Sequence, residues 1–158
     1  MAKFAPLFLQ PVINRMGRLL GIDYGRKRCG IAVTDTLRIV ASGLATVATA
    51  ELPGYVTRYV ASEPVDAIVV GLPRQADGSD SESMRYITPG INRLRKLLPD
   101  VKIVFWDERY TSVLAHRAMI DGGMRRSARR DKGAVDEISA VIILNDYLQS
   151  REYEQNRP

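Results

Sequence analysis

Residues 65–72, VDAIVVGL, constrain the fold of this chain more than any other stretch. They are apolar at nearly every position rather than at alternate ones, and Pro64 and Pro73 bracket them. Eight such residues are short for a helix and fit a strand buried on both faces. A strand of that kind belongs inside a sheet covered on both sides, which points to an α/β layering.

The rest of the chain supplies neighbours and cover. Residues 19–36, LLGIDYGRKRCGIAVTDT, hold two apolar runs joined by the turn 24–28 and read as a β-hairpin. Residues 39–49 form a third β-branched run, with a bend expected at Gly43. Leu52, Tyr55, Val56, Tyr59 and Val60 recur at 3–4 spacing and predict a short helix ended by Pro64. The polar loop 73–83 leads into a helix to about Leu98, with Pro89 either kinking it or marking its start. Residues 101–106 predict a further strand, Thr111 caps a helix to about Asp121, and a last helix runs from 131 or 132 to about 149. That last helix is apolar almost all round, so it packs against the sheet. The order β-β-β-α-β-α-β-α-α describes a mixed five-stranded sheet flanked by helices, three strands antiparallel and two parallel.

With 158 residues there is room for one ordinary domain, placed at 17–150. Residues 1–16 read as a disordered extension and 151–158 as a polar tail. No apolar run approaches a membrane span, and the single Cys29 excludes an intramolecular disulfide or a thiolate metal cluster. A cytoplasmic location is the expectation. The net charge of +5 suggests a polyanionic partner.

The charges are placed unevenly. Arg117, Arg125, Arg126, Arg129, Arg130 and Lys132 crowd one segment around Gly122-Gly123. A Gly-containing loop rich in Arg suits phosphate-backbone contacts, although a solvated loop has the same composition. Arg26, Lys27 and Arg28 on the hairpin turn are the next basic candidates, Arg26 foremost. Three acids lie at the rims of apolar elements: Asp23 ends the first strand, Glu108 (beside Asp107) ends the last, and Asp136 opens the final helix. A strand-end Asp often serves only to accept turn N–H groups. Brought together, however, three carboxylates repel and call for protons or divalent cations. Oxygen-only ligation selects Mg²⁺ or Mn²⁺, and paired hard metals suit phosphodiester hydrolysis. Lys132 and Asp136 share a helix face, either as an ordinary surface pair or as part of a site. His116, Cys29 and Trp106 read as structural residues.

Four stretches, GIDYGRKRCGIAVTD (21–35), VVGLPRQADGS (69–79), DERYTS (107–112) and KGAVDEISAVIIL (132–144), together resemble the YqgF family of Holliday-junction-resolvase-like proteins. The resemblance implies a ribonuclease-H-like fold and a metal-dependent nuclease acting on the 5′ end of 16S ribosomal RNA precursors. It also implies that Asp23, Glu108 and Asp136 bind metal and catalyse, with Lys132, Arg109 and Thr111 in support. The loop around Gly71 and Gly78 would face the substrate. Structured RNA is the favoured partner and branched DNA the alternative, with monomer and homodimer both open. Two rival readings are an actin-like phosphotransferase, suggested by Asp23-Tyr24-Gly25, and a non-catalytic nucleic-acid-binding module. The first needs two such lobes, for which this chain is too short; the second does not account for all three acids.

Overall fold

The hairpin forms as expected: β1 (Arg18–Tyr24) and β2 (Arg28–Thr34) pair antiparallel, with Asp23 opposite Gly30. This is a computed structural model that describes residues 17–73, 77–79, 81–108, 132–150 and 153, with backbone only for 132–135. The third strand, β3 (Ala41–Ala48), continues the antiparallel ladder beyond β2. Its register shifts where Ala32 pairs with Gly43 and Ile31 with Ala45, so Leu44 bulges out. The bend expected at Gly43 is this bulge.

A short 3₁₀ turn leads into α1 (Leu52–Ser62), which stops before Pro64. The apolar run 65–72 is β4 (Val65–Leu72), parallel to β1 and inside the sheet. The next helix, α2 (Met84–Leu97), carries Pro89 in its interior. The helix begins earlier because the carbonyls of Ser81 and Ser83 already accept the N–H groups of Met84, Tyr86 and Ile87. Pro89 is therefore not its start. The fifth strand, β5 (Lys102–Asp107), runs parallel to β4 and gives the order β3-β2-β1-β4-β5. Last comes α3 (Lys132–Leu148). The helix expected from Thr111, the extension 1–16 and most of the tail lie outside the described residues.

Each face of the sheet has its own cover. Leu20, Ile22, Ile31, Ile68 and Val70 pack on Leu52 and Val56 of α1 and on Ile87, Ile91 and Leu94 of α2. Leu19, Ala32 and Val69 on the opposite face pack on Ala140, Ile143, Leu144 and Tyr147 of α3. Both faces of β4 are thus buried, which is why its sequence does not alternate.

Candidate active site

Alternation along the strands decides which side chains meet at the sheet's end. On β1, Leu19 faces α3, and a Cβ at Gly21 would lie 3.0 Å from Leu144. Asp23, two residues on, projects from that same face. On β5, Val104 and Trp106 pack against the α3 side, whereas Ile103 and Phe105 belong to the other core. Glu108 therefore follows Trp106 to the α3 side, and Asp107 turns away.

Two glycines flank Asp23. Gly30 is its cross-strand partner on β2; Gly71 on β4 follows Val70, the partner of Ile22. A Cβ at Gly30 would overlap the backbone carbonyl of Asp136. At Gly71 it would lie 2.6 Å from Oε1 of Glu108 and 2.7 Å from Cδ1 of Ile143. The missing side chains thus let the first turns of α3 settle beside Asp23 on one flank and admit the Glu108 carboxylate on the other. Asp23, Glu108 and Asp136 consequently share one end and one face of the sheet. Among the described residues, however, no three acidic, imidazole or thiol groups stand close enough to share one metal ion. The acids are neighbours rather than a ready-made cage.

Asp136 is committed to Arg28. The Arg28 Nε donates to Asp136 Oδ2 at 2.8 Å, with the two side chains 36% and 24% exposed. The alternation that puts Gly30 under α3 also puts Arg28 there. Parity in the sequence puts Arg28 on the face of Gly30 but not under α3, so Arg28 registered there only as one of three turn cations. A concavity of about 320 Å³, lined by Gly25, Arg26, Lys27, Arg28 and Asp136, opens beside the pair. Thr49 holds the rim: its Oγ1 donates to Gly25 O at 2.7 Å and its backbone N–H to Lys27 O at 2.9 Å.

Cys29 faces the opposite core, fully buried. Burial pushes its thiol pKa up, hydrogen bonding to Thr49 and Gly25 opposes this, and the charges of Asp23 and Asp136 push it further up. The thiol stays neutral and is a core group rather than a nucleophile or ligand. Trp106 is likewise structural, its ring centroid 5.8 Å from that of Tyr147. Gly78 adopts φ 91°, a conformation glycine takes without strain, in the loop after β4.

The donor chemistry fits a hard divalent cation: carboxylate oxygens at one strand end, with the thiol on the far side of the sheet. Lys132 opens α3, but its side chain lies outside the described residues. So do Arg109, Thr111, His116, Arg125, Arg126, Arg129 and Arg130.

A five-stranded sheet of this order with helices on both faces is the ribonuclease-H-like fold. The same fold is seen in RuvC of T. thermophilus, solved with a Holliday junction substrate. The likeness has a TM-score of 0.54 at 13% identity and covers 84% of this chain and 95% of that one. The chain belongs to the RuvX (YqgF) family, described as Holliday junction resolvase, which matches residues 17–150. A relative from Phocaeicola vulgatus, named "Putative pre-16S rRNA nuclease", is 54% identical over 138 residues, 87% of this chain and 99% of its own length. One of the same name from Flavobacterium johnsoniae is 45% identical over 138 residues, 87% of this chain and all of its own.

Proposed function

We propose that this chain is a divalent-metal nuclease that hydrolyses phosphodiester bonds in 5′-end maturation of the 16S ribosomal RNA precursor. The observation carrying this reading is the Gly30–Asp23–Gly71 row, which sets Asp136 and Glu108 on either side of a strand-end carboxylate. Near-full-length relatives named for that substrate support the choice of RNA. Resolution of four-way DNA junctions is the second reading, supported by the family's description. Purified protein with Mg²⁺ or Mn²⁺, given precursor RNA and DNA junctions in parallel, separates them. Preferential cutting of the RNA is expected; cutting of junctions alone would transfer the assignment to DNA.

Asp23, Glu108 and Asp136 are the residues that would hold Mg²⁺ or Mn²⁺. When bound, such ions activate a water and stabilise the leaving oxygen. Asp23 is fixed in place by an interior strand paired on both sides. Arg28 brings a guanidinium to the cleft, where a substrate phosphate is a natural partner. Ile143 of α3 packs beside Gly71 and the Glu108 carboxylate, so an apolar side chain borders that flank of the site. We place the reaction in the cytoplasm because relatives are named for a ribosomal RNA precursor. Among the described residues no helix is long and apolar enough to cross a membrane.

Two expected results follow for the cations. Arg28 and a metal draw on the same Asp136 carboxylate, so Arg28→Gln should tighten Mn²⁺ binding about fivefold, the scale of removing an ion pair of about 1 kcal/mol. The variant should also bind precursor RNA more weakly. Mn²⁺ titration followed by electron paramagnetic resonance reads the first effect, and unchanged affinity would separate Arg28 from the metal-facing part of Asp136. For the basic segment that precedes α3 in the sequence, Ala at Arg125, Arg126, Arg129 and Arg130 together should weaken binding to all nucleic acids alike. The slope of log K against log[salt] should become shallower by up to about one unit for each phosphate no longer neutralised. An unaltered slope would make that segment a solvated connection.

A further inference from the structure

Beyond the cleft at Asp136, the hairpin tip borders a second concavity that the catalytic reading does not use. Arg26 lines both. The second, also about 320 Å³, is walled by Arg26 together with Glu82, Ser83, Arg85 and Tyr86 at the start of α2. Arg26 and Arg85 are exposed and Tyr86 is half-buried. The Tyr86 ring stacks on that of Tyr24, centroids 6.3 Å apart and planes 28° from parallel. Tyr24 is wedged in turn against α2, where a Cβ at Gly90 would overlap its hydroxyl. Tyr86 therefore has a supported ring behind it. On the other rim, the hydrogen bonds from Thr49 to Gly25 and Lys27 hold the turn that carries Arg26.

These groups match the parts of one nucleotide. An aromatic ring on a rigid backing offers a stacking surface that accepts any base. Two guanidinium groups suit the phosphates on either side of it. The Glu82 carboxylate repels phosphate but accepts from a base amino group or a ribose hydroxyl. A paired base inside a duplex cannot present its face to Tyr86, because its neighbours already occupy that face. We propose that this concavity is a subsite for one unpaired nucleotide of the substrate strand, next in line to the scissile phosphate held beside Asp136. The proposal rests on the nuclease reading and deepens it: cleavage would fall where the strand leaves a helix.

The test uses the full chain and short single-stranded oligoribonucleotides carrying 2-aminopurine, with a blunt RNA duplex of the same sequence as comparison. Binding is read by anisotropy in EDTA, and stacking by quenching of the 2-aminopurine. Wild type should prefer the single strand and quench the probe. Tyr86→Ala should weaken single-strand binding roughly 5- to 150-fold and abolish quenching, whereas Tyr86→Phe should retain both, since stacking requires the ring and not the hydroxyl. Arg85→Ala, an exposed change that leaves the packing intact, should weaken single-strand binding and leave duplex binding nearly unaltered. Single-strand affinity and quenching that survive both Tyr86→Ala and Arg85→Ala would overturn the subsite, even with cleavage by wild type in Mg²⁺ intact. Loss of binding in these variants from a wild type that cuts nothing would keep the subsite and overturn the nuclease reading instead.

Discussion

Asp23→Asn is expected to lower precursor cleavage by about 10²- to 10³-fold, the scale seen when a group stabilising transition-state charge is removed. Asn keeps the size and one acceptor of Asp but removes the charge that holds a cation. Asp23 pairs with Gly30 on β2, and Ile22 beside it pairs with both Ile31 and Val70, so the fold has no reason to change. Relief of repulsion from Glu108 and Asp136 favours the apo protein, and the melting temperature should stay within about 3 °C of wild type or rise. RNA affinity in EDTA should remain. A collapse in activity without a collapse in stability separates a catalytic acid from one that merely accepts turn hydrogen bonds. Wild-type turnover by this variant, with contaminating nuclease excluded, would end the metal-nuclease account.

Gly30→Ala should damage both stability and activity. Its Cβ would occupy the space of the Asp136 carbonyl, and helix backbone cannot swing aside as a side-chain tip can. Overpacking of this kind costs about 1–3 kcal/mol or more, which corresponds to a fall of several degrees in melting temperature. The relief available is a shift of α3 away from β2, carrying Asp136 off its flank of Asp23. A displacement near 1 Å can reduce turnover on the order of 10²-fold. Gly71→Ala should act differently. The atoms it meets are the ends of the Glu108 and Ile143 side chains, which can move, so activity should fall more than stability. Gly54→Ala is the control. Gly54 is exposed in the first turn of α1 and near only the tip of Arg58, so Ala should stabilise by up to about 1 kcal/mol. Thermal melts and single-turnover cleavage of the three variants distinguish these outcomes, and a Gly30→Ala protein that melts and cuts like wild type would contradict the close seating of α3.

What the sequence made legible follows from periodicity. The unbroken apolar run of β4 marks an interior strand, the two runs around the turn mark a hairpin, and the all-round apolar α3 marks a helix packed on the sheet. Between Glu108 and Asp107 only the family resemblance chose in the sequence; the parity of β5, whose Trp106 faces α3 and whose Phe105 faces the other core, puts Glu108 on the α3 side. Contacts between distant elements were not legible. Arg28 and Asp136 are 108 residues apart, and composition marks Arg28 merely as one cation among three on a turn. The pairing of Gly30 with Asp23, and the helix lying over it, likewise depend on the register and on how closely α3 approaches. The run of β-branched residues in β3 was readable as a strand, while the start of α2 was obscured by Pro89, a residue that usually ends helices.

We propose that Asp23, Glu108 and Asp136 serve together as ligands to divalent metal. Anomalous scattering from crystals of the wild-type protein soaked in Mn²⁺ tests it most directly. The account predicts an anomalous peak within bonding distance, about 2.0–2.3 Å, of carboxylate oxygens from Asp23 and at least one of Glu108 and Asp136, with Arg28 released from Asp136. Manganese bound elsewhere, with the Arg28–Asp136 pair intact and Asp23 without metal at saturating Mn²⁺, would contradict it.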